Sequence, residues 1–290
     1  MRIVHTIQEM RDVVAAQRAA GRRIGFVPTL GGLHEGHGAL IRRSVAECDF
    51  TVVSIFVNPL QFGPNEDFAR YPRELDADAA FCERYGVDVV FAPSQEEMYP
   101  RPPRAFVEVT ELTDGLCGRY RPGHFRGVTT VVAKLFLIVQ PDAAYFGMKD
   151  GQQLAVIRRM VEDLNFPVSI VAVPTVREPD GLAMSTRNRY LSPQERKAAT
   201  AIYRGLQAAR ARLEAGERDP EALRAAVRAE LAAEPLLKEQ YIEVVDAADL
   251  QPVERVDGPV MIAVAAFAGS ARLIDNIVYP DTPDGGRDRA

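Results

Sequence analysis

IGFVPTLGGLHEGHGALIRRSVAECDFTVVSIFVN, residues 24 to 58, changes its hydrophobic rhythm twice. It opens on a continuous apolar run, IGFVPT (24–29), and then crosses a loop with two adjacent glycines and two histidines. From 37 to 48 its apolar residues fall three and four apart, and it closes on a second run, TVVSIFVN (51–58). An unbroken apolar run suits a strand buried on both faces, and spacing of three and four suits an amphipathic helix. Strand, helix and strand in that order predict a βαβ unit with parallel strands and a right-handed crossover.

The same grammar extends outward. VDVVFAP (87–93), AAYFG (143–147) and VSIVAVPT (168–175) read as further buried strands, with helical spacing over 8–20, 73–85, 127–139 and 152–164. Residues 1–175 are therefore expected to form an α/β domain, a Rossmann-like doubly wound parallel sheet with helices on both faces. Beyond about 176 a turn-rich stretch, REPDGLAMSTRNRYLSPQE (177–195), leads into two helices near 193–216 and 219–232. YIEVVDA (241–247) and VMIAVAAFAGSARLIDNIVY (260–279) then read as strands, so 176–290 is expected to be a smaller α+β lid domain. Its polar tail, from about 280, is expected to be disordered. AFVEVT (105–110) reads as a sheet edge that could support pairing between copies.

With 290 residues, 47% of them hydrophobic, the chain can bury a large core. Its 35 basic and 40 acidic residues give a formal charge of −5, which provides no global field for nucleic acid or an anionic membrane. Any anion site must be local. Lysine occurs only at 134, 149, 197 and 238, so Lys149 inside a loop motif stands out. Cys48, Cys82 and Cys117 lack CxxC or zinc-type spacing and read as reduced thiols. Arg2, His5 and Glu9 stand where a signal peptide would be apolar, and no run approaches a membrane span, so a soluble cytoplasmic protein is expected.

Ligands of doubly wound sheets bind beyond the carboxyl ends of strands. The 28–37 loop, NPLQF (58–62) and GMKDGQQ (147–153) all follow predicted strands. Gly31 and Gly32 allow a sharp turn, a helix beginning near Gly36 offers N–H groups, and His34 and His37 would share one side of its first turn. Three readings stay open for the imidazoles: phosphate contact, a metal site, or a structural pair at a bend. Phosphate contact fits best, because His5 and His124 lack supporting zinc spacing and the loop lacks G-x-G-x-x-G. RYRPGHFRG (119–127) reads as a border of the cleft, with no catalytic role for His124. The acids of EDFARYPRELDAD (66–78) read as a solvated helix start, indirect magnesium contact being the alternative.

The end of HEGH resembles the H-x-G-H signature of the nucleotidylyltransferase superfamily. Longer strings narrow the likeness: PTLGGLHEGH (28–37), FVNPLQFGPNEDFARYPR (56–73), RPGHFRGVTTVVAKLF (121–136), YFGMKDGQQ (145–153) and REPDGLAMSTRNRYL (177–191) together resemble the pantothenate synthetase (pantoate–β-alanine ligase) family. That resemblance implies an ATP-dependent ligase that joins pantoate to β-alanine through pantoyl adenylate, releasing AMP and pyrophosphate. It implies Mg²⁺ carried with ATP, no dedicated protein metal ligands, no prosthetic group, and a homodimer. It implies catalytic roles for His37, His34, Lys149 and Arg187. ATP contacts are implied for Leu30, Gly31, Gly32, Leu33, His34, Glu35, Gly36 and His37, then Gly147, Met148, Lys149 and Asp150, then Val176, Met184, Ser185, Thr186 and Arg187, the MSTR segment being a mobile phosphate-gripping loop. Gln61, Gln153, Asn58 and Pro28 would hold pantoate or β-alanine, with Phe56 and Val132 as apolar walls. The chain departs from the family pattern at Leu30 (usually Met), Gly32 (usually Ala), Met148 (often acidic) and Thr186 (usually Ser). The alternative is a nucleotidylyltransferase of the same fold acting on a phosphorylated acceptor, which would keep the nucleotide in its product. A further alternative is a non-catalytic nucleotide binder.

Overall fold

A computed structural model describes residues 1–281. The expected disordered tail therefore lies, from residue 282 on, outside the described residues. The strands are β1 (Arg2–Val4), β2 (Ile24–Thr29), β3 (Phe50–Ile55), β4 (Val89–Phe91), β5 (Ala143–Gly147), β6 (Ser169–Val173), β7 (Leu237–Asp246), β8 (Val260–Ala268) and β9 (Ala271–Tyr279). The helices are α1 (Ile7–Ala19), α2 (Glu35–Glu47), α3 (Leu75–Arg84), α4 (Gln95–Met98), α5 (Leu116–Tyr120), α6 (His124–Val139), α7 (Gly151–Asp163), α8 (Pro193–Ala198), α9 (Ala201–Glu214) and α10 (Pro220–Ala232).

The first six strands form one parallel sheet in the order β1-β4-β3-β2-β5-β6. The five strands read from apolar runs are all present. β1 is additional; with three residues and only Val4 buried, it is too short to carry a period. From β2 the chain winds outward through β3 and β4, then returns to β2's other side with β5, so the strand order reverses between β2 and β5. That is where a doubly wound sheet opens a crevice at its carboxyl edge. Val27, Val53, Val90 and Tyr145 from the strands pack with Leu40 and Ile41 of α2 and with Phe81 and Cys82 of α3. Each such large side chain withdrawn from water contributes roughly 1.5–3 kcal/mol before conformational entropy is charged against it.

β7-β8-β9 form a separate antiparallel sheet, closed at Ala268–Ala271 by a tight turn. Leu206 and Leu213 of α9, and Leu223 and Val227 of α10, pack with Ile242, Val244, Ile262 and Val264 of that sheet. The single helix expected over 193–216 is two: Thr200 Oγ1 donates to Lys197 O at 2.8 Å, a side-chain bond that competes with the helical ladder at the join.

The chain divides into two compact units that are not consecutive stretches. One comprises Met1–Thr110, Tyr120–Gly147 and Val156–Val173; the other takes Glu111–Arg119 and Met148–Ala155 in addition to everything from Pro174. Two amides explain the extra pieces. Asn276 of β9 donates to the carbonyls of Met148 and Lys149, and Gln152 binds Leu112 O, Gly115 O and the N–H of Cys117. AFVEVT is not a sheet edge. It lies in none of the strands; Thr130 Oγ1 accepts from Val107 N and Thr129 Oγ1 donates to Val107 O, tying it to α6. Among the described residues no helix is long and apolar enough to cross a membrane.

Candidate active site

In the first unit the site begins where β2 ends. Thr29 Oγ1 donates to Ser54 O at 2.7 Å and accepts from Gly31 N at 3.3 Å, tying the ends of β2 and β3 together. The backbone then reverses through Gly31 and Gly32, at φ of 90° and 64°, a left-handed region that side chains resist. Beneath the turn lies Asp78 of α3, only 4% exposed, whose carboxylate accepts from Gly32 N at 2.9 Å and Leu33 N at 2.8 Å. Leu33 points into the core, and Pro28 and Leu30 are half-buried.

His34 caps α2. Its Nδ1 accepts from Gly36 N at 3.1 Å, and His37 Nδ1 accepts from His34 N at 3.2 Å. A ring nitrogen that accepts carries no proton, so each neutral imidazole holds its proton on Nε2. The centroids stand 4.2 Å apart. Glu35 is turned aside: Tyr85 OH donates to its Oε2 at 2.6 Å, and this bond, with Arg42, holds its carboxyl below the ordinary range.

The N–H groups expected at the helix start near Gly36 are partly engaged. The N–H groups of Gly32, Leu33, His34 and Gly36 already donate within the protein.

The amides beyond β3 also divide. Asn58 is fully buried and spends both ends of its side chain: Nδ2 donates to Gln61 Oε1 and Gly127 O, each at 3.1 Å, while Oδ1 accepts from Leu60 N and Tyr99 OH. Asn58 is thus a bracket for its neighbours rather than a ligand group. Burial pushes the Tyr99 phenol up to about 12, so it stays a donor. Gln61 is 8% exposed, and with Oε1 taken its NH₂ is what it can present. Phe56 and Val132 are buried, Phe56 lying 6.1 Å from the Tyr99 ring. Within RYRPGHFRG, Arg119, Tyr120, Pro122, Gly123 and Arg126 are exposed, whereas His124 is buried and Arg121 pairs with Glu66.

In the second unit Met148–Asp150 form a short 3-10 turn directly after Gly147 ends β5. Lys149 Nζ lies 3.6 Å from Asp150 Oδ1, the lysine largely buried and the aspartate half exposed. Next to Asn276, which holds the turn's carbonyls, Asp275 binds the Arg177 guanidinium at 2.5 and 3.0 Å; the guanidinium also lies 4.0 Å over the Tyr203 ring. Arg177 opens a small hairpin, with Glu178 N donating to Leu182 O and Met184 N to Val176 O. MSTR follows as a defined turn, Ser185 Oγ accepting from Arg187 N at 3.3 Å. Thr186 is buried, and Met184, Ser185 and Arg187 are half-buried. Gln153 is half-buried, whereas Gln152 is the enclosed amide that clamps 112–117.

Sequence reading missed Asp78, Asp275 and Asn276. The signals were present: Asp78 sits three and four residues before Phe81 and Cys82, on the apolar face of α3, and DN interrupts an apolar strand in LIDNIVY (273–279). Among the described residues no group of three or more His, Cys, Asp or Glu side chains could hold a metal ion.

A family model described as pantoate-beta-alanine ligase matches residues 2–278. The chain is 59% identical over 278 residues to the pantothenate synthetase of Heliobacterium modesticaldum, covering 96% of this chain and 99% of that protein. The structure superposes on pantothenate synthetase from Thermus thermophilus with a TM-score of 0.91 and 49% identity, covering 96% and 99% of the two chains. A pantoate-beta-alanine ligase from Francisella tularensis, solved in complex with beta-gamma ATP and beta-alanine, matches with a TM-score of 0.80 and 34% identity, covering 98% and 99%.

Proposed function

This chain belongs to the pantoate-beta-alanine ligase family, and from that premise we propose that it joins the two substrates by way of pantoyl adenylate. A pantoate carboxylate oxygen attacks the α-phosphorus of ATP and pyrophosphate leaves. The β-alanine amine then attacks the acyl carbon, forms the amide, and expels AMP. No covalent enzyme nucleophile is needed. The first step brings a carboxylate against an anionic triphosphate, so preset donors and cations supply most of the catalysis, each on the order of 3 kcal/mol.

The observation that carries the assignment of roles is the pair of imidazoles whose Nδ1 atoms are occupied by backbone N–H groups. Their protons are thereby committed to Nε2, where His34 and His37 act as donors to phosphate oxygens. Lys149 contributes a compact charge, Arg187 and Ser185 grip the triphosphate, and Gln61 and Gln153 present amides to pantoate. Nucleotide contacts are assigned to residues 30–37, 147–150, 176 and 184–187. Mg²⁺ enters as part of the Mg–ATP substrate, keeping waters and phosphate oxygens as ligands, and no step is assigned to it beyond that. A cytoplasmic homodimer completes the reading; sedimentation and cell fractionation test it.

The deciding assay is exchange of labelled pyrophosphate into ATP. Exchange must require pantoate and proceed without β-alanine, and complete turnover must release free AMP. Exchange that ignores pantoate, or AMP retained in the product, sinks the mechanism. Exchange should fall by at least about 100-fold in His37→Ala and Lys149→Ala.

A further inference from the structure

The 119–127 segment, together with Glu66, forms a directed chain of hydrogen bonds. Arg121 Nε and Nη2 donate to the two carboxylate oxygens of Glu66, both at 2.6 Å. Arg121 Nη1 lies 2.9 Å from His124 Nε2. A guanidinium has no acceptor, so His124 Nε2 must be the bare nitrogen and the ring's proton sits on Nδ1. That Nδ1–H points at the backbone carbonyl of Gln61, at 2.8 Å, to which Arg121 Nη2 adds a longer bond of 3.3 Å. His124 is therefore neutral and of the opposite tautomer to His34 and His37. Protonating Nε2 would set imidazolium against guanidinium in a site where His124 is only 9% exposed.

The chain of bonds ends on a residue that is gripped everywhere else. Gln61 N donates to Asn58 O, and Gln61 Oε1 accepts from Asn58 Nδ2. From the α6 side, a Cβ on Gly127 would come within 2.2 Å of Leu60 O and 2.7 Å of Gln61 Cα, so that helix lies directly on the Leu60–Gln61 backbone. A short loop side chain would ordinarily sample several rotamers. Here both the peptide and the amide oxygen are fixed, which aims the NH₂ in one direction.

We propose that Glu66, Arg121 and His124 are positioning residues that set the Gln61 amide for an oxygen of the pantoate acid, none of the three touching substrate. The inference rests on the reading of Gln61 as a pantoate ligand. It predicts a defect confined to one substrate, whereas a purely structural cross-link would lower the amount of folded enzyme and leave each KM alone.

The test is steady-state kinetics with each substrate varied in turn, on His124→Phe, His124→Asn, Gln61→Ala and the His124→Phe/Gln61→Ala double variant. His124→Phe is expected to raise the KM for pantoate about tenfold, ~1.4 kcal/mol, with the KM for ATP within about twofold. His124→Asn, whose side-chain N–H can replace Nδ1–H toward the Gln61 carbonyl, should recover most of that loss. In the Gln61→Ala background His124→Phe should add nothing, because the group it positions is gone. Arg121→Lys, which keeps the charge and loses the fork, gives the same single-substrate signature if His124→Phe does not fold. A rise in the KM for ATP equal to that for pantoate, an unchanged pantoate KM, or a full additional effect in the Gln61→Ala background overturns the relay. A Gln61→Ala enzyme with an unaltered pantoate KM overturns the ligand reading itself.

Discussion

Replacing Asp78 by Asn tests how the histidine loop is held. The native carboxylate accepts from Gly32 N and Leu33 N at 2.9 and 2.8 Å in a site closed to water. Hydrogen bonds to a charged group contribute about 1.5–3 kcal/mol each. An amide of the same shape keeps one oxygen for one of the N–H groups and turns its own NH₂ toward the other, so about one such bond is lost and a donor is left facing a donor. The expected cost is about 2–3 kcal/mol, and Asp78→Ala, which strands both N–H groups, should cost about 3–5 kcal/mol. Function should suffer more than stability. The freed turn lies immediately before His34, and a shift of about 1 Å in a reacting group can cost on the order of 100-fold in rate. Urea unfolding and pantoate-dependent pyrophosphate exchange, both at a temperature where the variants remain folded, read the two effects separately. An Asp78→Asn protein that unfolds at the wild-type urea midpoint, or that is destabilised yet exchanges at the wild-type rate, refutes the idea that this carboxylate organises the loop.

Gly127→Ala should be among the most damaging single-methyl changes in the chain, since the new carbon meets backbone atoms of Leu60 and Gln61 that have no rotamer to yield. An unfolding loss above about 2 kcal/mol with a raised pantoate KM is expected, and a neutral variant would remove the close packing from the account. Burial raises the Glu66 carboxyl, but bonding to Arg121 outweighs it and leaves the group below the usual 4.5. A depressed folded value means stability that is present above 4.5 and lost as pH falls through the folded value, so the stability gap between wild type and Glu66→Gln should be constant at neutral pH and shrink below about 4.5. A gap that widens on acidification reverses the sign and the argument. Burial, with Asp78 nearby, pushes the Cys82 thiol up to about 12, so iodoacetamide at pH 8 should modify it only after unfolding. Labelling of Cys82 in native protein at the rate of an exposed thiol would contradict its enclosure.

How much of this was legible beforehand follows from the range of each interaction. Strand runs and helical spacing are local, and β2 to β6 emerge where the apolar pattern places them. β1 does not, because three residues cannot display a period. The two-unit division departs from a cut near 175 because Asn276 reaches back to carbonyls 127 and 128 residues away, a partnership no window of sequence contains. The histidine pair shows the same limit at close quarters. Two glycines ahead of a helix suggest backbone N–H groups open to an anion, yet Asp78, 45 and 46 residues further on, occupies two of them, and the histidines occupy two more. A carboxylate under an anion-binding loop would be a liability if it faced the ligand. Here it faces the peptide, and its charge is spent on fixing a turn. The backbone N–H groups hold the imidazoles by Nδ1, which places the proton of each neutral ring on Nε2. On the proposed role of the pair as phosphate donors, His37→Gln, retaining an N–H near the Nε2 position, should keep more exchange activity than His37→Asn.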